Sequence, residues 1–143
     1  MKTKDRIYDS LLVEHLANNR QMAFVSGPRQ VGKTTTCRNH ADTYVNWDNI
    51  DDRELILAGP ASLVNRLGLN RLSNTIPVAL FDELHKYPRW IQFLKGFFDT
   101  YADQVRITVT GSSRMDVYRR GGDSLMGRYF LYRMHPFSIA EIL

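Results

Sequence analysis

The sequence predicts an α/β fold in which a parallel sheet of about five strands lies between helices. Two observations predict it. Five short strand-like runs, at residues 22–26, 44–47, 77–81, 105–110 and 129–133, alternate with helical segments. Strands joined through helices by right-handed crossovers come out parallel. The first run, Met22-Ala-Phe-Val-Ser26, is apolar without alternation, the pattern of a strand buried on both faces. No internal repeat or low-complexity stretch breaks the series.

Taken in order, the chain opens on a helix over about residues 5–16, where Ile7, Tyr8, Leu11, Leu12 and Leu16 form one stripe. Asn18 and Asn19 suit its end. After the first strand, a glycine-flanked loop from Gly27 to Gly32 leads into a helix from Lys33 to about His40. Tyr44-Val-Asn-Trp47 is the second strand, followed by an acidic helix over residues 48–57 and another helix after Pro60. Asp48, Asp51 and Asp52 lack the glycine and terminal glutamate of a calcium loop; at a helix start their charge complements the dipole. Residues 70–74 are polar punctuation, and Pro77 opens the third strand at the position where proline is tolerated. Pro88 opens the clearest helix, with Trp90, Ile91, Leu94, Phe97, Phe98 and Tyr101 at three- and four-residue spacing as core anchors.

The run from Val105 to Thr110 alternates as a strand. A helical segment over residues 115–120 is broken by Gly121-Gly122, and Tyr129-Phe-Leu-Tyr-Arg133 is the fifth strand. Ser138-Ile-Ala-Glu141 is a capping box, a helix-start signal two residues before Leu143. A helix that short is not stable alone. The expectation is a single domain over residues 1–143, cut from a longer protein whose C-terminal region is missing.

Composition narrows the class. With 143 residues there is room for one core, and 43% hydrophobic with 24% charged residues is the balance of a globular domain. No run approaches the roughly 18 apolar residues of a membrane span, and MKTKDR leads into no signal-peptide apolar stretch. The single cysteine, Cys37, forms no intramolecular disulfide and is read as a small buried residue, and the histidines at 15, 40, 85 and 135 stand singly. A disulfide scaffold and a cysteine-based zinc site are excluded. The expectation is a soluble, cytoplasmic domain with no membrane partner. A net charge of +4 leaves nucleic acid open as a partner without indicating it.

Gly27-Pro28-Arg29-Gln30-Val31-Gly32-Lys33-Thr34 matches G-x-x-x-x-G-K-[ST] in full. By background residue usage, roughly half a per cent of chains this long would match by chance. Here the match also sits between a buried strand and a helix, the context the motif needs. Gly27 and Gly32 let the backbone curl so that its N–H groups converge on phosphate oxygens at the positive end of the following helix. Lys33 is expected on the β- and γ-phosphates, and the Thr34 hydroxyl in a Mg2+ shell, with Thr35 completing the nucleotide-binding run. Downstream, Val78-Ala-Leu-Phe81 delivers Asp82 and Glu83 to the C-terminal edge of the sheet, where open parallel sheets bind ligands. Asp82 is the expected second Mg2+ residue and Glu83 the general base that polarises water.

A strand between the phosphate loop and Asp82, together with Glu83, resembles the RecA-like branch of P-loop NTPases that carries an additional sheet strand and a catalytic glutamate. That resemblance implies strand order 5-1-4-3-2. GTPases typically read guanine with N/T-K-x-D and follow their aspartate with x-x-Gly; this chain has neither. Thr110-Gly-Ser112-Ser113 closes the fourth strand, which in that order points at the γ-phosphate. Ser112, Thr110 or Ser113 would sense that group, and a serine-capped turn accounts for the same residues. Arg128 immediately precedes the fifth strand, where oligomeric ATPases carry an arginine that reaches a neighbouring subunit's nucleotide. Arg114 is the substitute, and pairing of Arg128 with Asp123 the bland alternative.

Four blocks carry a closer resemblance: GPRQVGKTT, FDELHKYPRWIQFLKGFFD, TGSSR and GGDSLMGRYFLYRMHPFS. In this order, and spanning about residues 21–142, they are similar to a group of bacterial and archaeal AAA+-type ATPases. The resemblance implies an ATP-binding core ahead of a C-terminal region, with Mg2+ as cofactor, ATP and ADP as ligands, and homo-oligomers formed through Arg128. The expected reaction is Mg-dependent ATP hydrolysis coupled to a conformational process. A nucleotide-dependent switch with little turnover is the alternative. Asp82-Glu83-Leu84-His85 also spells the D-E-x-H of helicases, but those need a second lobe for which this chain has no length. No acceptor-binding insertion of a small-molecule phosphotransferase is recognisable.

Overall fold

Why the strands lie where they do follows from their burial. In a computed structural model that describes residues 7–27, 33–69, 74–112 and 125–134, five parallel strands form one sheet. They are β1 (Met22–Ser26), β2 (Thr43–Asn46), β3 (Val78–Asp82), β4 (Arg106–Gly111) and β5 (Tyr129–Arg133), ordered β2-β3-β4-β1-β5. This is the expected 5-1-4-3-2 arrangement read from the other edge. Every residue of β1 is buried, and so is β4 from Ile107 to Gly111. The alternation read in β4 therefore does not mark a wet face. Thr108 and Thr110 are polar yet almost fully buried, because β4 lies between β1 and β3 with helices on both sides.

The helices divide between the two faces. On one side α1 (Ile7–Asn18) and α2 (Lys33–Arg38) cover Ala23, Val25 and Leu80 through Leu12 and Cys37. On the other, α3 (Ile50–Leu57), α4 (Pro60–Leu67) and α5 (Trp90–Tyr101) close a larger core around Phe24, Phe81, Ile107 and Val109. Side chains alternate across a strand, so Leu80 and Asp82 face α1 and α2, while Phe81 faces α5. Phe97 meets Phe81 edge-on with ring centroids 5.9 Å apart. Burying each such side chain contributes roughly 2 kcal/mol relative to exposure. Pro88 and Arg89 form a turn, so α5 starts at Trp90, two residues later than the sequence suggests.

Local chemistry sets the helix ends. Asn49 caps α3, its side chain accepting from the Asp52 N–H at 3.1 Å. Pro60 opens α4, and Gly68 closes it at φ 73°, a left-handed conformation that glycine adopts without steric cost. In α1 the expected stripe holds at Tyr8, Leu12 and Leu16, which pack against the sheet, but not at Leu11. Leu11 is 41% exposed, and His15 takes the inward place beside Leu12. Its Nε2 meets the Gln21 carbonyl oxygen at 2.7 Å and its Nδ1 the Tyr132 hydroxyl at 2.8 Å. The carbonyl only accepts, so Nε2 carries the proton and Nδ1 accepts from Tyr132. This polar clasp ties α1 to β5. The expected helix over 115–120, the 121–122 break, the residues 70–73 and the capping box at 138–141 lie outside the described residues.

Candidate active site

The C-terminal ends of β1, β3 and β4 converge beside the start of α2. One row of the sheet runs Asn46, Asp82, Thr110, Val25, with successive residues paired across neighbouring strands. Because residues on one row share a face, the Asp82 and Thr110 side chains meet. The Thr110 hydroxyl donates to Asp82 Oδ1 at 2.7 Å. The Thr34 hydroxyl, from the first turn of α2, faces Asp82 Oδ2 at 3.5 Å. Tyr44, two residues before Asn46 on the same face of β2, donates its hydroxyl to that same oxygen at 2.6 Å. Burial, then the bond to Asp82, raise the Tyr44 phenol above its ordinary value.

Lys33 opens α2 and is buried, Thr35 is exposed on the same turn, and Gly27 is buried at the end of β1. Pro28, Arg29, Gln30, Val31 and Gly32 of the phosphate loop lie outside the described residues, as do Ser113, Arg114 and Asp123. Cys37, deep in α2, has its thiol pushed up to about 12, first by burial and then by the Asp82 and Asp9 charges. It stays protonated and inert.

Glu83 follows Asp82 at φ 59°, the left-handed region, which costs a non-glycine residue about 1 kcal/mol. Its N–H donates to the Thr110 carbonyl oxygen at 3.1 Å. The turn brings Glu83 Oε2 to 3.1 Å from Lys86 Nζ and 3.9 Å from His85 Nε2. Lys86 also grips Asp48 at 2.9 Å, and that hydrogen bond is the main cause of its raised pKa. Leu84, His85 and Lys86 form a short 3-10 turn. His85 Nε2 lies 3.4 Å from the Ser112 hydroxyl. Burial lowers the His85 pKa, against the nearby Glu83 charge.

Arg128 is not part of this cluster. It precedes β5, so it sits at the N-terminal edge of a parallel sheet whose C-terminal edge carries Asp82. The five residues of β5 separate the edges by about 16 Å. Its guanidinium engages Asp99 of α5, a partner that sequence spacing does not reveal.

The comparisons with known proteins agree with this architecture. The profile of a family described as AAA domain matches residues 19–143. The chain belongs to the AAA domain family. A solved structure of the Aeropyrum pernix ORC1 protein in complex with DNA has the same fold, with a TM-score of 0.60 and 16% identity. The alignment covers 94% of this AAA domain and 44% of the ORC1 chain, so the domain spans under half the length of that protein. No curated protein matches the chain in sequence. The five-stranded parallel sheet and its strand order are those of the P-loop NTPase fold.

Tyr44 and Lys86 are the residues beside Asp82 and Glu83 that sequence reading missed, as it missed Asp99, the partner of Arg128 at the far edge of this AAA domain. Tyr44 lies in a strand whose pairing partner is more than thirty positions away. Only the register places its hydroxyl on Asp82. Among the described residues, no helix is long and apolar enough to cross a membrane.

Proposed function

We propose that this AAA domain binds Mg-ATP and hydrolyses it to ADP and phosphate, coupling the cycle to a conformational change. The observation that supports the reading is the meeting of Thr34, Asp82 and Thr110 at the edge where the phosphate loop begins. The donors fit Mg2+, a hard cation that takes oxygen ligands. Thr34 and Asp82 bring two such oxygens to within 3.5 Å of each other. Thr34 and Asp82 would hold the ion, which when bound neutralises charge on the β- and γ-phosphates.

The chain's own residues take the remaining roles. Lys33 and the backbone N–H groups of Gly27 and of residues 29 to 35 bind and orient the phosphates. Glu83 takes the proton from the attacking water, for which its carboxylate must leave Lys86. Thr110, Ser112 and Ser113 are the sensor candidates at the end of β4. Arg128 serves in trans, in a homo-oligomer, because its own nucleotide site is at the far edge of the sheet. The Lys86 contact also favours a second reading, a nucleotide switch in which Glu83 is held out of action. DNA as a partner rests only on the ORC1 fold likeness and the +4 charge.

Thermal unfolding with Mg-ATP tests the proposal, with Mg-GTP as control, on the wild type and on Lys33→Ala. Ligand at a hundred times its dissociation constant adds about 2.7 kcal/mol, a rise of several degrees in the midpoint. A rise with Mg-ATP that Lys33→Ala removes is the expected result. No rise in the full-length protein would overturn the reading.

A further inference from the structure

Asp82 is held from both sides. Thr110 donates to Oδ1 at 2.7 Å and Tyr44 to Oδ2 at 2.6 Å. Bonds to an ionised carboxylate at such lengths are the strong kind. Tyr44 has an easy alternative, since β2 is an edge strand and an edge tyrosine can turn its hydroxyl to water. It is instead turned along the sheet toward Asp82. Its ring is pinned there by Arg38, whose guanidinium lies 4.2 Å from the ring centroid. Arg38 ends α2, the same six-residue helix that begins with Lys33 and Thr34. The Tyr44 carbonyl oxygen also accepts from Arg66 Nη2 at 3.2 Å, which fixes the strand from the side of α4.

These contacts have a direct consequence for the carboxylate. Each oxygen offers two lone pairs. Thr110 and Tyr44 take one on each, so rotation about the Cβ–Cγ bond is blocked and a lone pair of Oδ2 stays aimed toward Thr34. A carboxylate free to swivel would lose that orientation between binding events. We infer that Tyr44 is a positioning residue for divalent-cation binding, acting through Asp82. The inference rests on the reading of Thr34 and Asp82 as the Mg2+ pair. It adds to that reading a residue on the edge strand, clamped by the helix that bears the other ligand.

Tyr44→Phe tests it, because the ring and its Arg38 contact are kept and only the hydroxyl is lost. The measurement is the Mg2+ titration of binding of a fluorescent ADP analogue by the full-length protein, with and without metal. Loss of such an outer hydrogen bond weakens metal affinity by about tenfold. The expected result is a tenfold higher Mg2+ requirement with unchanged metal-free ADP affinity. In an Asp82→Asn background, Tyr44→Phe is expected to change nothing further. An unaltered Mg2+ requirement in Tyr44→Phe would overturn the inference, and so would an equal loss of ADP affinity with and without metal. If Asp82→Asn itself keeps the wild-type Mg2+ dependence, the metal pair is misassigned and the role of Tyr44 falls with it.

Discussion

The Arg128 guanidinium meets the Asp99 carboxylate fork to fork, Nε 2.8 Å from Oδ1 and Nη2 3.2 Å from Oδ2. Lys95 joins at 3.3 Å, one helical turn before. Asp99 is accordingly held below the usual carboxylate range, first by the Arg128 hydrogen bonds. Both groups are partly exposed, so the pair contributes little to folding, at most about 1 kcal/mol. Its effect is on where the guanidinium points. An arginine that serves a neighbouring chain's nucleotide must leave Asp99 to do so.

Asp99→Ala is therefore expected to leave the unfolding midpoint nearly unchanged. ATPase activity per chain is expected to rise a few-fold at concentrations where chains associate, and Arg128→Ala to lower it. Activity plotted against protein concentration measures both. If Arg128→Ala matches the wild type at every concentration, the arginine has no role in turnover.

Glu83 is tied to Lys86, and Lys86 to Asp48. Glu83→Gln keeps the shape and removes the proposed base. It is expected to retain ATP binding while kcat falls by about 10²–10⁴, read in a single-turnover assay. Lys86→Met separates the two functional readings. Faster hydrolysis than wild type would mean that the lysine restrains the glutamate; an unchanged rate would remove the observation that favours a switch.

His15 gives a pH signature. Burial holds its pKa below the ordinary 6.5, so the folded state keeps it neutral where the unfolded chain already binds a proton. Its contribution is complete above about pH 6.5 and is lost as the pH falls toward the depressed folded value. His15→Leu is expected to cost about 1–3 kcal/mol at neutral pH, because the Gln21 carbonyl and the Tyr132 hydroxyl lose their partner. Below pH 6.5 its midpoint is expected to fall less steeply than that of the wild type. A parallel fall in both proteins would place the acid sensitivity elsewhere, with His85 the next candidate.

β1 and β3 were legible as apolar runs, and β4 as a short strand-like run between helical segments. The glycine-lysine motif is a local signal of the same kind. Burial on two faces gives no single pattern: β1 reads as uninterrupted hydrophobics, while β4, buried from Ile107 onward, carries Thr108 and Thr110 and reads as alternation. What stayed hidden depends on pairing over distance. Leu11 and His15 show this within one helix. Hydrophobicity alone puts Leu11 inward, yet the Tyr132 hydroxyl on β5, 117 positions away, makes His15 the better fit. Tyr44 and Asp99 were hidden for the same reason. Neither stands near its partner in the chain, and each is an ordinary strand or helix residue until the sheet assembles.

The row that joins Asn46, Asp82, Thr110 and Val25 makes ligand binding a test of correct assembly. A slip of β3 by one residue against β4 would bring Phe81 or Glu83 opposite Thr110 and turn the Asp82 carboxylate to the face lined by α5. Such a molecule would be silent, not merely slow. Titrating the bound nucleotide in a preparation would then count the properly paired chains, and a substoichiometric end point with normal affinity would measure the misassembled remainder.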